Sequence, residues 1–255
     1  MTESLTRNGD WIRRFHPADR ASTRLACFPH AGGSATFYFP VSRTLSPDVD
    51  VLSVQYPGRQ DRRHEPCLGT VAELADAVVE ELLPWADRPL NLFGHSMGAS
   101  LAFEVALRLE QRGPGLQGLF VSGRRAPSRF RRETVHLADD ETLIKELGRL
   151  SGTDSQVLGD PEILRMILPA IRNDYRAAET YRFTGDKRLA CPVTVLVGDR
   201  DPQVTAAEAE AWAEHTTGAF RLRRFDGGHF FLNAHAAEVM SVISHQIGVP
   251  VAGSR

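Results

Sequence analysis

Two hydrophobic rhythms alternate along this chain. Short apolar runs at Arg24–Phe28, Val49–Gln55, Leu90–Phe93, Gly118–Ser122, Pro192–Val197 and Phe220–Phe225 have the length and composition of strands, and the continuous ones have the pattern of strands buried on both faces. Between them, apolar residues recur at helical spacing. Ser34 is placed to cap a helix through about Leu45, and Thr70-Val-Ala-Glu73 forms a capping box that opens an amphipathic helix to about Trp85. Ala99–Leu109, Thr205–His215 and Phe231–Ile247 continue the series, the last as the final helix. The first twenty residues are a loose polar leader, with an edge strand at Trp11–Phe15. From His136 to Tyr181 the pattern is helical without strands: Asp139 or Asp140 caps a helix to Leu150, and Pro161 suits the first turn of one carrying Ile163, Leu164, Ile167 and Leu168. Strands alternating with helices predict right-handed crossovers and a mainly parallel sheet covered on both faces, here with a helical insertion.

Composition narrows the classes of function. The chain has 255 residues, 42% hydrophobic and 24% charged, enough for one large α/β domain with a modest insertion. A net charge of -2 and a pI near 6.5 make no electrostatic case for nucleic acid or an anionic membrane. No run approaches eighteen apolar residues and the N-terminus has no apolar signal core, so no membrane partner or export is expected. Cys27, Cys67 and Cys191 form no C-x-x-C pair and read as reduced thiols of a cytoplasmic protein. Neither a metal nor a resident cofactor is expected.

In open parallel sheets the site lies beyond the strand carboxyl ends. The His30 loop, Ser96, the Asp199–Asp201 turn and His229 all follow strands directly. Gly94-His-Ser-Met-Gly98 joins a strand to a helix and has the form of a nucleophile elbow; the plain alternative is an ordinary glycine-rich turn. A serine hydroxyl needs a histidine to take its proton and a carboxylate to orient that histidine. His229, just past a strand and two glycines, fits the base, whereas His215, His235 and His245 fall within or at the ends of helices, and His95 is assigned a structural role. Asp199 and Asp201 compete for the acid, with Asp226 third. Two residues of turn give Asp201 the reach to be preferred, and leave Asp199 to brace the loop. The oxyanion donors expected are the Met97 N–H at the helix start and the Ala31 N–H of His30-Ala-Gly-Gly33, a loop that is otherwise a mere tight turn.

Together, Phe28-Pro-His-Ala-Gly-Gly33, Tyr56-Pro-Gly-Arg59, Gly94-His-Ser-Met-Gly98, Gly198-Asp-Arg-Asp201 and Gly228-His-Phe-Phe231 resemble, in order, the motifs of type II thioesterases of polyketide and nonribosomal peptide biosynthesis, within the α/β-hydrolase superfamily. The resemblance implies Ser96, Asp201 and His229 as triad. It further implies hydrolysis, through a serine acyl-enzyme, of acyl groups, including stalled or mis-primed chains, from the phosphopantetheine arm of acyl or peptidyl carrier protein domains. Residues 1–127 and 186–255 would form the hydrolase core and 128–185 a helical lid. Arginines at 124–132 and 59–63 are open to two readings, a solvated face or a docking surface for an acidic carrier or its phosphate. A carboxylesterase or acyltransferase on the same scaffold, and a binding protein on a retired one, are the competing functions. The initial Met1 and the end soon after the last helix favour a stand-alone enzyme over an excised releasing domain.

Overall fold

A computed structural model of the chain describes residues 11–113, 115–150 and 160–249. Among them, seven strands make one sheet: β1 (Ile12–Arg13), β2 (Thr23–Phe28), β3 (Val49–Val54), β4 (Leu90–His95), β5 (Leu116–Ser122), β6 (Val193–Gly198) and β7 (Phe220–Phe225). Their spatial order is β1-β3-β2-β4-β5-β6-β7. All neighbours run parallel except β1, which pairs antiparallel with β3, so the expected edge strand is present but confined to two residues. The chain steps outward from β2 to β3, returns to β4 on the other side of β2, and then proceeds in order. That reversal puts the loops leaving β2 and β4 side by side, the crevice where doubly wound sheets bind ligands.

Strands β2, β3, β4 and β6 are buried throughout, because alternate side chains enter opposite layers. Ala26, Phe28, Leu92 and Val195 pack with helices α2 (Val71–Leu82) and α3 (Met97–Arg112). Leu25, Cys27, Phe93 and Leu196 pack with α1 (Phe39–Leu45) and the C-terminal helix. β7 is the exception, an edge strand whose Arg221, Arg223 and Arg224 keep it from being a template for another chain.

Between β5 and β6 the described residues carry helices and no strand. These are α4 (Asp140–Leu150), whose first turn is capped by Asp139, and α5 (Pro161–Thr180), capped by Asp160 with Pro161 in its first turn. Leu143 and Leu147 of α4 bury against Leu164, Leu168 and Ile171 of α5 in a small core of their own. α5 is also tied to the main body, through Ala177 in the main core, the Asn173 amide on the Leu68 carbonyl (2.6 Å) and the Arg124 guanidinium on the Ala178 carbonyl (2.9 Å).

Local expectations fail where side chains find better partners. Ser34 stands at the start of a 3-10 turn, Ala35–Tyr38, but its hydroxyl pairs with Thr36 and caps nothing. Thr70 caps α2 through the Glu73 N–H, yet Glu73 Oε2 accepts the Gly69 N–H and the Thr70 hydroxyl instead of closing the box on the Thr70 N–H. The reciprocal box occurs at Thr205/Glu208, opening α6 (Ala206–Glu210), which tightens to 3-10 as far as His215. The final helix is two, α7 (Phe231–Ala234) and α8 (Ala236–Ile247), broken at His235, whose ring bridges the Asp226 carbonyl and Glu238.

Candidate active site

Ser96 joins β4 to α3 with φ 54° and ψ -118°, a conformation costly for any residue with a Cβ. The turn fits only because its neighbours are glycines. A Cβ on Gly94 would lie 2.1 Å from the Gly98 carbonyl oxygen, and one on Gly98 would lie 2.1 Å from that of Phe28. The Ser96 N–H is anchored on the Ser122 carbonyl at 2.8 Å and its own carbonyl starts α3. In a stretch otherwise buried, Ser96 is half-exposed. Met97, as the first residue of α3, has an N–H with no acceptor inside the helix.

His229 Nε2 lies 3.0 Å from Ser96 Oγ, and Nδ1 lies 2.9 Å from Asp201 Oδ2. A carboxylate only accepts, so Nδ1 carries the hydrogen and Nε2 is left to accept from the serine. The other Asp201 oxygen accepts the Gln203 N–H at 2.8 Å, and both side chains are almost fully buried. Asp199 is elsewhere: its Oδ1 accepts the Gly227 N–H at 2.9 Å and braces the histidine loop. Asp226 pairs with Arg200.

The loop after β2 faces two ways. Ala31 and His30 line a cavity of about 310 Å3 together with Ser96, Met97 and His229, while Gly32 and Gly33 line a separate groove with Arg59. The cavity extends from the serine to Leu147 and Leu150 of α4 and Tyr175 of α5. Phe230 lines it beside His30, and the buried His95 ring packs behind them, its centroid 5.0 Å from that of His229. Burial, then the charges of His229 and Arg59, push His30 down to about 3; burial and the neighbouring histidines push His95 well below its ordinary value. Both rings are therefore neutral at neutral pH. His95 is the buried structural histidine expected, bonded through Nδ1 to Ser122 Oγ at 3.0 Å.

The arginines divide differently from either sequence reading. Arg129 and Arg131 pair with Glu214 and Glu208 and pin the connection after β5 to the segment around α6, while Arg125 pairs with Glu133 within the connection itself. Arg59 is 9% exposed and bonded to Asp174 of α5, and Arg62 pairs with Glu65. As a docking surface this set is largely consumed by the protein itself. Asp174 was not legible as a site residue, although one signal existed: it extends the apolar stripe Leu164, Leu168, Ile171 at the next helical step.

An elbow serine, a carboxylate and a histidine in that chain order, beyond the carboxyl edge of a parallel sheet, define a serine hydrolase of the α/β-hydrolase fold. Residues 23–247 match the thioesterase domain family. A probable cadicidin biosynthesis thioesterase of Streptomyces griseus is 57% identical over 93% of this chain and 66% of its own length. Thioesterase PikA5 of Streptomyces venezuelae is 53% identical over 94% of this chain and 86% of its own. Among solved structures, the type II thioesterase BorB from the borrelidin biosynthetic cluster superposes with a TM-score of 0.88 and 53% identity, covering 92% of this chain and 97% of that one. The chain belongs to the thioesterase family and is similar across that span to the type II thioesterases of polyketide and nonribosomal peptide pathways. Its reaction is the hydrolysis of acyl thioesters. Among the described residues no helix is long and apolar enough to cross a membrane.

Proposed function

We propose that this thioesterase removes acyl groups, including stalled or mis-primed chains, from the phosphopantetheine arm of acyl or peptidyl carrier protein domains, in the cytoplasm, with Ser96 as nucleophile, His229 as base and Asp201 as the group that orients it. The observation that carries the reading is the hydrogen-bonded chain Ser96–His229–Asp201 at 3.0 and 2.9 Å, opening on the cavity under α4 and α5. Ser96 Oγ attacks the thioester carbonyl as its proton passes to His229 Nε2. The carbonyl oxygen takes up the negative charge, and the Ala31 and Met97 N–H groups receive it. Collapse breaks the C–S bond, and the departing sulfur takes the proton from Nε2 to leave as pantetheine thiol. A thiol with a pKa near about 8.5 needs less protonation than an amine would. Water, deprotonated by His229, then attacks the acyl-serine; the carboxylic acid leaves and Ser96 regains its proton.

In this reading α4 and α5, the described helices of the 128–185 segment, cover the acyl cavity, with Leu147, Leu150 and Tyr175 contacting the acyl chain, and exclude water from the acyl-serine until release of the thiol; residues 151–159 of that segment lie outside the described residues. The chemistry needs only these side chains, two amides and water. Rates on acyl-pantetheine thioesters, matched oxygen esters and carrier-loaded acyl groups test it. The thioesters, and above all the carrier-bound ones, should be preferred. Ser96→Ala should lower kcat by about a million-fold. Intact thioester hydrolysis by that variant refutes the assignment.

A further inference from the structure

The loop bearing Ala31 is held almost entirely by side chains from elsewhere. Tyr38 and Tyr56 donate their hydroxyls to the Phe28 and Pro29 carbonyls at 2.7 and 3.0 Å, fixing its first residues. The next part is held by an ion pair. Asp174 Oδ2 accepts both the Gly32 N–H at 2.8 Å and Arg59 Nη1 at 2.6 Å, while Oδ1 accepts Arg59 Nη2 at 2.9 Å. Arg59 Nη1 also donates to the Gly33 carbonyl at 3.1 Å. The pair therefore grips one peptide N–H and one peptide carbonyl of the same turn, from the face away from Ser96.

Peptide planarity transmits that grip. The Gly33 N–H closes the turn on the His30 carbonyl at 2.9 Å. That carbonyl shares a rigid trans peptide with the Ala31 N–H, so the two point in opposite directions. Holding the turn at Gly32 and Gly33 thus sets the direction of the Ala31 N–H, on the side where Ala31 lines the cavity with Ser96. Stability alone gives little reason for such a pair, since a buried ion pair often does no better than hydrophobic residues of the same volume.

We propose that Arg59 and Asp174 are positioning residues for the reaction, a strut that aims the Ala31 N–H at the oxyanion, so that helix α5 of the insertion is itself part of the oxyanion arm. The proposal rests on the triad and oxyanion assignment above. One consequence is structural: α5 stays docked through the catalytic cycle, because displacing it would release Gly32 and Gly33 together.

The test compares the wild type with Asp174→Asn and with the double variant Arg59→Met/Asp174→Leu, which removes both charges and leaves no buried ion unpaired. Each is measured for thermal unfolding, for kcat and KM on a short acyl-pantetheine thioester, and for affinity toward two analogues. A trifluoromethyl ketone adds Ser96 and places an oxyanion in the hole, whereas the matching thioether does neither. A strut that aims the amide predicts a fall of about 100-fold in kcat, the scale of a roughly 1 Å misplacement. It also predicts a parallel fall in ketone affinity, with KM and thioether affinity within a few-fold of wild type in variants that remain folded. Unchanged ketone affinity and kcat overturn the proposal, as does a parallel loss of ketone and thioether binding, the mark of a merely structural pair. A wild type that does not bind the ketone overturns the oxyanion reading itself, a result separable from both.

Discussion

The two arms of the proposed oxyanion hole are built by different means. The Met97 arm is local: a strained serine, two glycines whose missing side chains let β4, α3 and the Phe28 carbonyl close together, and a helix start that frees an N–H. The Ala31 arm has no such internal frame, and it takes its shape from Tyr38, Tyr56, Arg59 and Asp174, which come from three separate segments. One arm fails only if its own backbone is altered; the other depends on distant side chains and on a helix of the insertion. Catalytic precision can thus be stored in a backbone or in a tertiary network, and this site uses one of each.

The sharpest way to break the comparison is Gly98→Ala. Its methyl group would meet the Phe28 oxygen at 2.1 Å and the Pro29 oxygen at 2.6 Å, both backbone atoms that cannot rotate away. Stability and activity should fall together, the former by about 3 kcal/mol or more, at the top of the usual range for overpacking. Denaturant melts beside thioester turnover check this. The strut variants differ in kind, losing turnover out of proportion to stability. A Gly98→Ala protein that unfolds like the wild type would show that the elbow is less locally determined than its geometry implies.

The same division explains what could be read in advance. The elbow is a contiguous pattern within five positions, legible although the demand on Gly98 comes from the distant Phe28 carbonyl, and His229 and Asp201 follow strand ends that periodicity locates. The strands needed no more than their apolar runs. The Ala31 loop was recognisable as a motif, but what holds it was not, because Arg59 sits in a basic stretch and Asp174 within a long amphipathic helix. Their pairing exists only once β3, β2 and the insertion have packed. The arginines after β5 misled for the same reason: Arg129 and Arg131 look solvated or outward-directed until the α6 region brings Glu214 and Glu208 to them. Ser34, Glu73 and the Phe231–Ile247 helix went astray at a smaller scale, where a nearby hydrogen-bond partner, a side chain or, for Glu73, the Gly69 N–H, outcompeted the local rule.

Acid gives a graded comparison, since each arm carries one buried neutral histidine, His30 in the loop and His95 in the elbow. Unfolded, both titrate near 6.5; folded, His30 holds out to about 3 and His95 is likewise well below 6.5. Below pH 6.5 the unfolded chain therefore binds more protons, and stability falls as pH falls. For His30 the loss is complete only near pH 3. At pH 5 His30 should cost about 2 kcal/mol, and His95 shifts stability in the same direction. Urea midpoints for the wild type, His30→Gln and His95→Gln at pH 7.5 and 5 separate the arms, because each variant should recover its own share on acidification. If only one variant gains relative to wild type, the acid sensitivity belongs to that arm alone.

The smallest expected effect concerns the loop that delivers His229. Its register on the acid turn is held by two backbone bonds, Asp199 N–H to Phe225 O at 2.8 Å and Arg200 N–H to Gly227 O at 2.9 Å, and by one side-chain bond, Asp199 Oδ1 to the Gly227 N–H. Asp199→Ala removes only the third, at a half-exposed site where water can take over the Gly227 amide. About 1 kcal/mol of stability should be lost, with kcat changed by a few-fold at most. In this respect the histidine loop resembles the elbow arm, with its position written in backbone bonds, and Asp199 trims it where Asp174 is needed to define the other arm. A loss from Asp199→Ala as deep as that from Asp174→Asn would erase the distinction and place both loops under side-chain control.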